Sequence, residues 1–540
     1  MVSFTAKTKK LRLALTALTL GLSCFSLAYA TPFTSHLTSH GKSTKTPVVK
    51  INAGKVRGVT TDYGSQYLGI PYAAAPTGDL RWQPPAPVEP WEGILTAGTV
   101  GNGCPQSISP FGQPSASEDC LYLNVYTSSR GHHRHFRKRP VMVWIHGGAF
   151  TYGEGHSYDP AKLADEGVIV VTFNYRLGAL GFMAHPALSA TSSTGASGNY
   201  GIMDQQAALQ WVQENIRAFG GDPNNVTIFG ESAGGLSVHA HLASPQSEGL
   251  FHRAIIQSGA YLLEQPSLQD WEYLGLAMAN AIGCPDQSLE CLRNADVNTI
   301  VANADPGALG FLPIVDGDVL PTSVLTSLAT GQFNKVPVME GTTRDEYSLF
   351  VALQFALAGN PVTEENFVSL ITTLGFPIEV AALIASQYPL TDYASPSDAF
   401  TALGTDFLFS CNSRTSLQLL SQHTRTYAFE FNDPNAPFTT LPFVGVPYRS
   451  AHTTEIQYLM DPATGAPAFD ADQEMLSNIM QNYWTSFARF GTPNFTFAPI
   501  WPRFGASELV KSLEPPFPQT INNFAQTHKC GFWNALLGDQ

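Results

Sequence analysis

The sequence predicts an α/β protein built on one large, mostly parallel sheet with helices on both faces. Three observations predict it. Short runs rich in Val, Ile and Tyr recur along the chain, several of them are apolar without a break, and helical patterns fall between them. An unbroken apolar run suits a strand covered on both faces, and strands alternating with helices build βαβ units.

Residues 1–30 read as an export address rather than a fold element. Lys7, Lys9, Lys10 and Arg12 form a positive segment, Leu13 to Leu27 an apolar one, and Ala28-Tyr29-Ala30 an A-x-A cleavage site. About fifteen apolar residues are fewer than the roughly 20 that span a bilayer. Cys24 makes a poor lipid-attachment site, because Gly21 stands where such a site has Leu. Cleavage near Ala30 leaves a secreted or periplasmic protein with no transmembrane segment. Residues 31–46 are rich in Ser and Thr and read as a flexible leader. Residues 47–540 show no internal repeat and no break in composition, so they are expected to form a single domain.

Within that domain, Val48–Val59 and Tyr67–Tyr72 read as small antiparallel strands. Leu121–Tyr126, Val141–Ile145, Val168–Phe173, Val226–Phe229, Ala254–Gln257, Val336–Glu340 and Tyr427–Phe431 read as core strands. Helical patterns cover Asp204–Phe219, stopped by Gly220-Gly221, and Asp472–Phe490, stopped by Gly491.

Composition excludes several function classes. The chain has 540 residues and 44% are hydrophobic, which is too many for a disordered protein. Lys and Arg number 29 against 43 Asp and Glu, a formal charge of −14. Export removes four basic residues and no acidic ones, leaving 25 against 43 and a charge of −18. Such a chain lacks the basic footprint that nucleic acid or an anionic membrane requires. Its only basic cluster is Arg130–Arg139, placed just before the Val141 strand and read as a solvated surface loop, with docking to an acidic partner or surface as the alternative. Six cysteines remain after cleavage, an even number in an oxidising compartment. They lack a C-x-x-C pair, so no zinc is expected. Asn225-Val226-Thr227 and Asn494-Phe495-Thr496 are glycosylation sequons, meaningful in a eukaryotic host.

The chemistry is concentrated in Val226–Gly235. A short apolar strand runs into Gly230-Glu231-Ser232-Ala233-Gly234 and a helical pattern follows, the strand–turn–helix setting of a nucleophile elbow. Glycines flank the serine because the sharp turn presses backbone against backbone. Upstream, His146-Gly147-Gly148-Ala149-Phe150 follows the Val141 strand. Acyl transfer passes through an oxyanion that needs preorganised N–H donors. Those of Gly147, Gly148 and Ala233 are the candidates, which leaves His146 a structural role. A serine also needs a base, and the base an orienting carboxylate. Glu346 and its neighbour Asp345 both follow the Val336 strand, and His423, His452 and His528 lie beyond. The residues themselves do not choose among these.

A resemblance supplies the choice. The chain resembles the type B carboxylesterases, an α/β-hydrolase group that includes bacterial and fungal esterases and acetylcholinesterase. The likeness runs from about Val48 to the C-terminus. It is carried by GIPYAAAP (Gly69–Pro76), LRWQPPAP (Leu80–Pro87), EDCLYLNVY (Glu118–Tyr126), VMVWIHGGAF (Val141–Phe150) and NYRLGALGF (Asn174–Phe182). The longest match fills Gly198 to Gly235. The resemblance implies Ser232 as nucleophile, Glu346 as acid and His452 as base, with Glu231 and Ser258 supporting the histidine. It also implies disulfides Cys104–Cys120, Cys284–Cys291 and Cys411–Cys530. The first closes a loop of about fifteen residues, worth roughly 3 kcal/mol.

Three departures stand out. Tyr347 and Thr453 occupy positions after the acid and the base where the family usually has Gly. The loop between Cys104 and Cys120 has no Trp, whereas cholinesterases hold a quaternary ammonium on one there. A choline ester is therefore not the expected substrate. Phe111 and the apolar run Leu349–Leu357 are candidate acyl-pocket residues. The expected activity is that of an exported serine hydrolase cleaving carboxylic esters of apolar acyl groups, without cofactor or metal. An interfacial lipase acting on long-chain acylglycerols and a non-catalytic binding or adhesion module are the alternatives.

Overall fold

A computed structural model describes residues 47–128, 138–304, 310–462 and 465–538. The export segment and leader lie outside them, as do residues 130–137 of the basic cluster. Of that cluster, Lys138 is exposed and Arg139 opens a strand.

Eleven strands form the main sheet of the described residues. In chain order they are β1 (Val59–Thr60), β2 (Gly64–Pro71), β3 (Tyr122–Ser128), β4 (Arg139–Ile145), β5 (Ile169–Phe173), β6 (Gly221–Glu231), β7 (Arg253–Gln257), β8 (Val338–Thr343), β9 (Thr426–Phe431), β10 (Val510–Leu513) and β11 (Gln519–Ile521). Across the sheet they run β11-β10-β9-β8-β7-β6-β4-β5-β3-β2-β1. Pairing is parallel from β10 through to β5. It is antiparallel at both margins. A separate sheet holds the hairpin Val48–Ile51 with Gly54–Arg57, joined by Ile94–Thr96.

The unbroken apolar runs have the reason expected of them. In β4, Val141, Val143 and Ile145 enter one core while Met142 and Trp144 enter the other. Helices α1 (Tyr200–Asn215) and α2 (Ala233–Ala243) cover the first core. Helix α5 (Ala471–Phe490) covers the second with Leu476, Met480, Trp484 and Phe487. Asp470 caps α5 by accepting from the N–H of Gln473, whose side chain answers to the Asp470 N–H. Gly491 ends it in the left-handed region, at φ 69°. Two shorter helices matter below: α3 (Tyr347–Val351) and α4 (Cys411–Ser421).

The helix expected over Asp204–Phe219 starts earlier, at Tyr200, and tightens into a 3-10 turn over Ile216–Phe219. Strands β10 and β11 were not expected. Val510-Lys511-Ser512-Leu513 reads as polar, yet Lys511 is buried with its ammonium donating to the Ile500 carbonyl at 3.2 Å.

Cys104–Cys120, Cys284–Cys291 and Cys411–Cys530 are bonded. Both sequon asparagines use their amides internally. Asn225 accepts from Arg253, and Asn494 exchanges two hydrogen bonds with the Trp501 backbone. Among the described residues no single helix is long and apolar enough to cross a membrane.

Candidate active site

Ser232 sits between β6 and α2 with φ 56° and ψ −120°, a strained conformation for a residue with a side chain. The strain has a local cause. A Cβ on Gly234 would lie 1.9 Å from the Ile145 carbonyl oxygen, and one on Gly230 would lie 2.6 Å from the Gly234 backbone. Only bare backbone lets α2 start this close to β4. The Ser232 N–H donates to the Gln257 carbonyl at 2.9 Å, which ties the turn to β7.

The loop after β4 meets the same turn. A Cβ on Gly147 would stand 3.1 Å from the Ser232 Cβ, so Gly147 passes against the serine. Gly148 has φ 100°, with the Tyr152 carbonyl where a side chain would be. Among the described residues neither Gly147 nor Gly148 donates its N–H to another protein group. Ala233 opens α2, where N–H groups have no intrahelical acceptor. His146 is buried, stacks on Tyr175 at 4.4 Å, and is pushed down to about pH 4 by burial, so it stays neutral.

Glu346 lies beyond the end of β8, at the start of α3, and is buried. Its Oε1 accepts from the Ser258 hydroxyl at 2.6 Å and the Thr343 N–H at 2.8 Å. Its Oε2 is 2.5 Å from His452 Nδ1. Ser258 therefore reaches the histidine only through Glu346. The rings of Phe350 and Phe409 cover His452 at 5.2 and 5.1 Å. His452 Nε2 lies 3.1 Å from Glu231 Oε1. No hydrogen bond joins Nε2 to the Ser232 hydroxyl among the described residues. Burial, and then the Glu346 carboxylate, raise the Glu231 pKa well above the usual range. Burial, reinforced by Glu231, also pushes Glu455 up to about 8. Glu231 thus favours its neutral form beside the imidazole.

The rival residues go elsewhere. Asp345 faces Arg449 at 3.9 Å, and His423 is exposed beside Phe333. His528 is buried between Asp406 and Glu430. Phe350 comes from the expected apolar run, whereas Phe111 is half-buried against the first core. Phe409 and Glu455 went unread. Phe409 belongs to no motif, and Glu455 sits three residues after His452, where only its burial distinguishes it.

The two departures at glycine positions have different outcomes. The Tyr347 ring occupies space left by Gly404, where a Cβ would lie 2.2 Å from the ring. Thr453 takes φ 79°, the left-handed conformation that a glycine would adopt without strain.

A strained serine at a strand–helix turn, flanked by free N–H groups and a buried histidine–carboxylate pair, has the parts that acyl transfer needs. The model of the carboxylesterase family matches residues 45–533. Mouse acylcarnitine hydrolase is 34% identical over 500 residues, covering 87% of this chain and 86% of that protein. The para-nitrobenzyl esterase of Bacillus subtilis is 35% identical over 507 residues, covering 89% and 97%. Human cocaine esterase is 32% identical over 535 residues, covering 92% of each. The chain belongs to the carboxylesterase family, has the α/β-hydrolase fold, and is a carboxylic ester hydrolase.

Proposed function

We propose that this is an exported, single-domain serine esterase in which Ser232, His452 and Glu346 form the catalytic triad. The observation that carries the reading is the buried His452–Glu346 contact of 2.5 Å beside the strained turn at Ser232. His452 Nε2 takes the Ser232 proton as the hydroxyl attacks the ester carbonyl, and this contact closes when substrate binds. The N–H groups of Gly147, Gly148 and Ala233 hold the tetrahedral oxyanion, helped by the positive end of α2. His452 then protonates the departing alcohol. Water, deprotonated by the same nitrogen, attacks the acyl-enzyme and releases the acid and Ser232. Glu346 fixes the imidazole tautomer and stabilises its charged form.

Apolar acyl groups suit the covering of Phe350 and Phe409 over His452. The names of the relatives, which include an acylcarnitine hydrolase and a para-nitrobenzyl esterase, support small ester substrates. The test is hydrolysis of p-nitrophenyl esters of increasing acyl length, below and above their solubility limits. Ser232→Ala should fold normally and lose about 10⁶ in turnover, the loss seen for another serine hydrolase. Wild-type turnover by that variant would sink the triad assignment. A rate that jumps when long-chain ester forms an interface would make the enzyme a lipase. No serine-dependent turnover with any ester would favour a binding module.

A further inference from the structure

The catalytic role proposed for Glu346 depends on how its turn is held: the Asp345 N–H donates to the Ser450 carbonyl at 3.0 Å, and two further anchors flank it. On one side, the Arg344 N–H donates to the Phe431 carbonyl at 2.8 Å, and the Arg344 guanidinium lies 3.3 Å from Glu430 on β9. On the other, the Tyr347 N–H donates to the Thr405 hydroxyl at 3.1 Å. Thr405 opens the turn Thr405–Ser410, which also supplies Asp406 and the Phe409 that covers His452.

A second buried histidine joins these anchors. His528 Nδ1 is 2.6 Å from Asp406 and His528 Nε2 is 2.6 Å from Glu430. All three side chains are buried. A ring that donates from both nitrogens is an imidazolium. The chain carrying His528 is fixed in turn by the disulfide from Cys530 to Cys411, the first residue of α4.

We propose that His528 is a positioning residue for the esterase reaction, a buried cation that cross-ties Asp406 to Glu430 and so holds the turn presenting Glu346 to His452. The proposal rests on the reading of Glu346 as the acid. The other groups around the cluster can be named. Arg344 lies 3.4 Å from His528 Nε2, Tyr388 donates to Asp406 at 2.7 Å, and the charges of Asp406 and Glu430 are felt by Tyr393 and Asp345 respectively. Lys529 stands over the Tyr388 ring at 5.3 Å. Burial works against a charged ring, but Asp406 and Glu430 outweigh it and hold the His528 pKa up at about 9. Above that pH the ring keeps one N–H and can serve only one carboxylate. The cross-tie opens, and the two anchors come apart.

The test compares His528→Gln and His528→Arg with the unsubstituted chain. The Ser232-dependent kcat of the unsubstituted chain should fall with a midpoint near pH 9. His528→Gln should lower kcat between about tenfold and a hundredfold at neutral pH, with KM nearly unchanged, as for a misplaced catalytic group. His528→Arg keeps the charge, so it should recover part of that loss and hold its rate to about pH 10, since arginine does not titrate there. A folded His528→Gln with full kcat, or a His528→Arg with the same alkaline fall, overturns the proposal.

A second readout is independent of turnover and of variants at 528. In Ser232→Ala protein, the proton between His452 and Glu346 should give a downfield NMR resonance that is lost as the pH passes 9. A resonance unchanged to about pH 10, at the same exposure of the site, overturns the proposal even if His528→Gln fails to fold. If hydrolysis proves indifferent to Ser232→Ala while this resonance still responds, the esterase mechanism fails and the positioning of Glu346 by His528 stands.

Discussion

Gly234→Ala is the sharpest perturbation of the Ser232 turn. The added methyl would lie 1.9 Å from the Ile145 carbonyl oxygen, more than 1 Å inside the 3.0 Å that real contacts respect. The obstacle is backbone on both sides, so no flexible side chain can yield. Either the end of β4 or the start of α2 must retreat by about that distance. β4 leads directly to Gly147 and Gly148, and α2 begins with Ala233, so the retreat separates the proposed oxyanion donors. Overpacking of this kind costs about 1–3 kcal/mol. A misplacement of about 1 Å at reacting groups can cost about a hundredfold in rate. The assay is kcat/KM on a soluble p-nitrophenyl ester beside a thermal unfolding midpoint, with Gly505→Ala as control because nothing lies within 4 Å of its added methyl. The expected result is a drop of about two orders of magnitude for Gly234→Ala and none for the control. A Gly234→Ala enzyme with wild-type rate and midpoint would refute the steric account of the elbow.

Other expectations follow from the same geometry. Breaking the Cys411–Cys530 bond by paired serine substitutions frees a crosslink spanning 119 positions. It should cost between about 4 and 5 kcal/mol, read as a lower denaturant midpoint. His528 gains its proton affinity on folding, its pKa rising from 6.5 to about 9. Its stabilisation, roughly 3 kcal/mol, is therefore complete below pH 6.5 and lost as the pH climbs through about 9. The unfolding midpoints of His528→Gln and the unsubstituted chain should converge over that range, and a constant gap would count against the ion cluster. Thr453→Gly should relieve left-handed strain of about 1–3 kcal/mol, less the entropy cost of glycine at about 0.5–1 kcal/mol. A lower melting temperature for this variant would show that Thr453 is not strained.

The parts of this protein that were legible in its sequence are those whose cause is local. Val141–Ile145 announced a strand between two cores because every residue must be apolar, and Gly230 and Gly234 announced a turn that excludes side chains. Lys511 hid β10, because a buried lysine reads as surface until its neighbours are known. Glu346 against Asp345 is the instructive case. The two are adjacent, carry the same charge, and follow the same strand, yet one reaches His452 and the other faces Arg449. What separates them is which side of the turn each occupies, and the contacts that hold the turn come from β9, from residues 405–410 and from Ser450, all distant in the chain. His528 shows the same limit from the opposite direction. As a histidine late in the sequence it was as good a candidate base as His452. Only the fold shows both its nitrogens engaged by buried carboxylates, which leaves it no lone pair with which to accept a proton. Local chemistry thus pointed to the proposed nucleophile, and what sets the two buried histidines apart had to come from the packing around them.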